Sequence, residues 1–172
     1  MPDRDADEVT VARYEDLPLH ANRSAMAINH QLKRIRAHTE ENFQSDAEFL
    51  VLALHRLVSI AKRINQLNDG QCEKEISDFE TNLPHLQSFR NVIAQFDEYL
   101  VNSGRDNSVC VGSLSVSAGD NDNLYFSGFQ LDPLKAKALS SSLYFSINDH
   151  PPEAYKEAVK RHKADCSTCN DH

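Results

Sequence analysis

Two stretches of this chain hold side chains whose types and spacing could do chemistry. The first is RNVIAQFDEYL, residues 90–100. A helix through it places Arg90 beside Asn91, with Asn91 and Gln95 one turn apart on one face. Arg offers a planar fork of N–H donors that can bind phosphate bidentately, and the two amides can hydrogen-bond alongside. None of the three exchanges a proton near neutral pH, so the pattern favours holding an anion over moving a proton. Asp97, seven residues after Arg90, or acids on a neighbouring helix, would instead make Arg90 an internal ion-pair partner. The second stretch is the tail HKADCSTCNDH, with His162, Cys166, Cys169 and His172. If the last helix reaches Cys166, His162 and Cys166 share a face, and zinc accepts such nitrogen and sulfur ligands in a tetrahedral shell. Against zinc, structural sites usually join two ligand pairs across a longer loop, and one CxxC at a chain end reads as a pair of exposed thiols.

Other patterns carry less. GDNDN, residues 119–123, alternates acids as a calcium loop does. Counted from Asp120, however, Tyr125 and Leu131 stand where an EF-hand needs Gly and Glu, so a turn suffices. Arg23, His30, Arg34 and His38, with Lys33 and Arg36 alongside, make a basic helix face that could track phosphates, though no aromatic residue is interleaved for stacking. There is no GxSxG elbow and no Gly-rich phosphate loop, which excludes the usual serine-hydrolase and nucleotide-hydrolase readings.

The elements that must position these groups are mostly helical. Leu17, Ala21, Ala25, Ile28, Leu32 and Ile35 recur at steps of three and four, predicting a helix from near Pro18 to about Thr39. SDAE predicts a second start, with Ser45 as N-cap and Glu48 closing a capping box. This helix runs to Leu67 and is apolar on most sides in its first half, which makes it central. The third helical segment repeats Ile76, Phe79, Leu83, Leu86, Phe89, Ile93, Phe96 and Leu100. Pro84 should kink or split it, with Asn82 as a new cap, and Gly104 should end it. The period then becomes two: VCVGSLSVSAG and NLYFSGFQL predict a β-hairpin. Asp132-Pro133 opens a further helix containing SSSLYFS, small and polar enough for close packing, and Pro151-Pro152 opens a last one. The expected fold is a mostly α domain: an antiparallel four- or five-helix bundle with one β-hairpin inserted between helices 3 and 4.

Composition sets the frame. The 172 residues are 40% hydrophobic and 26% charged, as in a globular chain able to bury a core. Residues 1–15 read as an acidic, disordered lead-in, 16–165 as a single bundle domain and 166–172 as a tail. The acidic start MPDRDADEVT lacks a secretory h-region and no apolar run approaches a bilayer span. These features predict a cytoplasmic protein with reduced thiols and no membrane association. The net charge of −8 disfavours indiscriminate nucleic-acid binding. It conceals residues 20–67, where seven Lys/Arg face four Asp/Glu.

Arg90-Asn91 on a long helix of a compact bundle resembles the HEPN (higher eukaryote and prokaryote nucleotide-binding) superfamily. The resemblance covers roughly residues 18–147 in architecture and Arg90 to Gln95 in motif. Active members carry Arg, a polar residue, two to four more residues, then His. Two protomers meet across a two-fold axis and cleave RNA without a metal. Here Gln95 stands in place of the histidine, and no His lies among residues 86–108. The resemblance therefore implies a non-catalytic HEPN-like homodimer that binds RNA, a nucleotide or a protein partner through Arg90, Asn91 and Gln95, as in bacterial defence or toxin–antitoxin-type systems. The alternatives are a weak or rewired metal-independent ribonuclease, with another group moving the proton, and a structural or interaction bundle without a ligand site. No cofactor is implied, apart from zinc at the tail.

Overall fold

The protein was analysed as a computed structural model that describes residues 16–37, 42–94, 116–118, 123–126 and 129–168. Among them are six helices: α1 (Leu17–Ala37), α2 (Phe43–Leu67), α3 (Glu73–Asn82), α4 (Leu86–Ala94), α5 (Pro133–Asp149) and α6 (Glu153–Thr168). Three short strands, β1 (Val116–Ala118), β2 (Leu124–Phe126) and β3 (Phe129–Leu131), lie between α4 and α5. The architecture is the mostly α bundle with a small antiparallel β insertion that the periodicity predicts. No helix among the described residues is long and apolar enough to cross a membrane. The acidic lead-in, Gly104 and most of GDNDN lie outside the described residues.

Helix α2 is the post around which the rest is built. Leu50, Val51, Leu54, Leu57, Ala61 and Ile64 are fully or almost fully buried, so α1, α3, α4, α5 and β1 all pack against it. Its start differs from the predicted capping box. The helix begins two residues before Ser45: Asn42 is the N-cap without a side-chain cap bond, and the Asp46 N–H donates to Asn42 O at 2.9 Å. Ser45 is an exposed residue within the first turn, and Glu48 accepts from Gln44 Nε2. The earlier start buries Phe43 and turns Asp46 inward, where both its oxygens accept from Arg34 Nε at 2.8 and 2.9 Å. Burying an aromatic ring and pairing a carboxylate outweigh one side-chain cap, which contributes only about 1 kcal/mol.

At its other end α2 turns through Asp69 (φ 50°) and Gly70 (φ 83°), a left-handed pair that glycine accepts without steric cost. Asn65 fastens the turn by accepting from Cys72 N at 2.8 Å and donating to Glu73 Oε2 at 2.7 Å. Cys72 is a buried free thiol. Burial pushes its pKa up, a hydrogen bond with Ser146 opposes the rise and the Glu75 carboxylate adds to it.

The third helical segment is split at Pro84, as its missing N–H requires. Asn82, however, does not cap the new helix: it is the last residue of α3, and its Nδ2 donates back to Asp78 O. The β insertion is also more divided than its two sequence runs. NLYFSGFQL folds on itself, pairing Phe126 with Phe129, so the sheet has antiparallel order β1-β2-β3. Leu124 and Leu131 are neighbours in register and both are buried.

Helix α5 begins as predicted. Asp132 accepts from Leu134 N and Lys135 N, with Pro133 at the first helical position. Ser140 and Ser146 are buried on its packed face, and Tyr144 OH donates to Asn22 Oδ1 on α1 at 3.1 Å.

The Arg34–Asp46 pair allows a direct check. Asp46 is only 6% exposed, so removing its partner leaves a desolvated carboxylate. Arg34→Ala should lower unfolding free energy by about 1.5–3 kcal/mol in urea titration, whereas the exposed neighbour Lys33→Ala should change it by less than about 0.5 kcal/mol.

Candidate functional site

Helix α4 presents Leu86, Phe89 and Val92 to the core, each under 10% exposed, with Ile93 half-buried against it. That face fixes the helix rotation and leaves Gln87, Arg90 and Asn91 along its edge toward α2. Phe89 and Ile93 behave as their spacing predicts. Gln95, Phe96 and Leu100, and the rival ion-pair partner Asp97, lie outside the described residues.

Arg90 and Asn91 belong to a continuous polar chain. Arg90 Nη1 donates to Asn91 Oδ1 at 3.2 Å, and Gln87 Nε2 donates to the same oxygen at 2.9 Å. Gln87 Oε1 then meets His55 Nε2 of α2 at 2.8 Å. The order of donors fixes the imidazole. Because the Gln87 amide uses its nitrogen toward Asn91, its oxygen faces His55, and His55 must carry its hydrogen on Nε2. Asn91 in turn offers its carbonyl oxygen to two donors, which orients the half-buried guanidinium. Among the described residues Arg90 forms no ion pair.

His55 and Gln87 also form part of the wall of a small cavity of about 100 Å3, closed below by Phe79, Leu83 and Leu86 and rimmed by the Lys62–Glu80 ion pair at 2.5 Å. Among the described residues the arrangement therefore combines a guanidinium without a carboxylate, two oriented amides and one imidazole at the seam of α2 and α4. Chemically it can bind an anion or a group rich in acceptors. Comparison of the chain with family models, with curated proteins and with solved structures finds no match in any of the three.

The other sequence-predicted positions fare differently. Helix α6 runs to Thr168, so His162 and Cys166 stand at i, i+4 on one helix as zinc ligation would require. Their side chains, and all of Cys169 and His172, lie outside the described residues. Among the described residues no cluster of three or more His, Cys, Asp or Glu could hold a metal. The basic face of α1 is broken by Arg34, whose guanidinium is committed to Asp46.

Sequence reasoning missed His55 and Gln87 as neighbours of the Arg90 motif. His55, with Arg56, interrupts the apolar run FLVLALHRLV of α2, and it is 32 residues from Gln87. An interruption in an otherwise buried helix does mark where that helix reaches a seam, which is the usable signal.

The hydrogen-bond order has an observable consequence. In neutral protein, His55 should be almost wholly the Nε2–H tautomer by 15N shifts, and Gln87→Leu, which removes the acceptor, should let a measurable Nδ1–H population appear while leaving the fold intact.

Proposed function

We propose that this chain is a non-catalytic, HEPN-like binding protein that holds a phosphate-bearing ligand, RNA or a nucleotide, at the α2–α4 seam. The observation that carries the reading is the state of Arg90: half-buried, oriented by Asn91 and Gln87, and without a carboxylate among the described residues. A guanidinium so placed is favourable chiefly when an anion joins it, and phosphate matches its fork. Gln95 extends the set as a hydrogen-bonding residue in the position of the family's histidine. The resemblance connects such a protein with bacterial defence or toxin–antitoxin-type systems.

The protein is further proposed to act as a homodimer. Support comes from large apolar side chains left in solvent on α1 and α5: Met26 is 64% exposed, Phe145 63% and Leu134 61%. Light scattering of the purified chain should give twice the monomer mass, and Phe145→Asp should shift it to monomer. A monomer for the parent chain at tens of micromolar would contradict the dimer.

One observation favours weighing the rewired ribonuclease beside this reading. His55 is a titratable group joined to Asn91 through Gln87, so the polar chain has an imidazole even though position 95 is Gln. The two readings separate cleanly. Fluorescence anisotropy with a labelled single-stranded oligoribonucleotide should show binding that Arg90→Ala weakens about tenfold or more, with no cleavage in EDTA over hours. Cleavage in EDTA that both Arg90→Ala and His55→Ala abolish would establish the ribonuclease instead. Binding unaffected by Arg90→Ala would refute the site.

A further inference from the structure

The polar chain that orients Arg90 ends on an imidazole, its one side chain that titrates near neutral pH. His55 Nε2 meets Gln87 Oε1 at 2.8 Å, Gln87 Nε2 donates to Asn91 Oδ1, and Arg90 Nη1 donates to the same oxygen. Neutral His55 therefore carries its hydrogen on Nε2 and a lone pair on Nδ1. Among the described residues no hydrogen bond is formed to that Nδ1. A second proton enters there without disturbing the bond from Nε2 to Gln87. Protonation thus keeps the polar chain intact and adds a positive charge at its far end. His20 is the opposite case: its Nδ1 accepts from Arg56 Nη2, so a proton on that atom would break the bond.

The ionisable groups around His55 are few. The cavity beside it is walled by α2, α3, α4 and the turn joining the last two, and α1 and α5 contribute no residue to it. Within that wall Lys62 of α2 and Glu80 of α3 pair with each other, so their charges offset. Arg56, next to His55 in sequence, turns to the opposite seam and meets His20. On α4, Arg90 is the one charged residue, and His85 stands just before the helix, exposed. Strand β1 brings no ionisable side chain. Gln87 and Asn91 stand between Arg90 and His55, so two neutral amides separate the two cations in the empty seam.

We infer that anion binding at the α2–α4 seam is coupled to a proton: the seam holds its ligand more tightly when His55 is an imidazolium, and binding draws a proton onto Nδ1. The inference rests on Arg90 being the anion-binding group and adds the regulation of that site. An anion held by the guanidinium attracts a second positive charge in the same seam, and by linkage the bound anion favours the protonated ring. The direction follows. Imidazole changes charge between about pH 5 and 8, so the ligand is taken up toward the acidic end of that window and released toward the alkaline end.

Fluorescence anisotropy with a labelled oligouridylate tests this, because phosphodiesters and uracil keep their charge across the window. The full chain should bind about fivefold more tightly at about pH 5.5 than at about pH 8. His55→Gln retains an amide donor but cannot titrate, and should cut that ratio to about twofold or less, the remainder coming from other histidines. His85→Gln should leave the ratio at about fivefold, since His85 is not part of the polar chain. Calorimetry at about pH 6.5 in two buffers of different ionisation enthalpy should show proton uptake on binding that His55→Gln removes. A ratio as large in His55→Gln as in the parent, with Arg90→Ala still weakening binding at both pH values, would overturn the coupling and leave the anion site standing. Binding that Arg90→Ala weakens at neither pH would refute the anion site and the coupling with it.

Discussion

A helix with an unbroken apolar face along its whole length exists only if neighbours cover that face, and that requirement on α2 organises the molecule. Leu50, Leu54, Leu57, Ala61 and Ile64 form a buried stripe along its length, while Ser45, Phe49, Arg56, Ser59, Arg63 and Gln66 face solvent on the other side. Helix α1 covers one flank, α3 and α4 another, and α5 packs against α1, α2 and α3 together. Some polar residues of α2 stand at the margins of that face, where it meets its neighbours. Asp46 lies in the seam with α1 and is neutralised by Arg34. Arg56 lies in the same seam and, among the described residues, hydrogen-bonds His20. His55 lies in the opposite seam and joins the Gln87–Asn91–Arg90 chain. Packing thus decides which charges of the described residues meet an opposite charge and which meet neutral groups.

The difference between Arg34 and Arg90 shows the consequence. Both are arginines beside a buried or half-buried polar side chain. Arg34 faces a carboxylate, so Coulomb attraction is already satisfied within the chain and its role is to hold α1 to the first turn of α2. Arg90 faces an amide oxygen, which accepts a hydrogen bond without cancelling charge. The same residue type thus locks the fold in one seam and, among the described residues, meets only neutral groups in the other.

Much of the architecture was legible in the sequence because it rests on period and local chemistry. The stripe Ala21, Ile28, Leu32 and Ile35 is buried as its spacing predicts, Pro84 divides the third segment, and Asp132-Pro133 starts α5. The errors are at boundaries, where tertiary packing overrides a local signal. SDAE is a good capping box, but Phe43 gains more by burial than Ser45 gains by capping, so the helix begins earlier. NLYFSGFQL reads as one strand until Phe126 pairs with Phe129. Of the candidate site, Arg90 and Asn91 were legible from their types. Their connection to His55 was not, because it depends on how two helices distant in sequence are rotated against each other.

The claim on which the account depends is that the Arg90 guanidinium is the anion-binding group of the α2–α4 seam. Side-chain 15N–1H spectra of arginine, recorded while a short oligoribonucleotide is added, report on it residue by residue. The account predicts that the Arg90 Nε–H signal, assigned by its loss in Arg90→Lys, shifts strongly and saturably, while that of Arg34, already held by Asp46, stays in place. An Arg90 signal unmoved by saturating RNA, with the shifts found on other arginines alone, would contradict it.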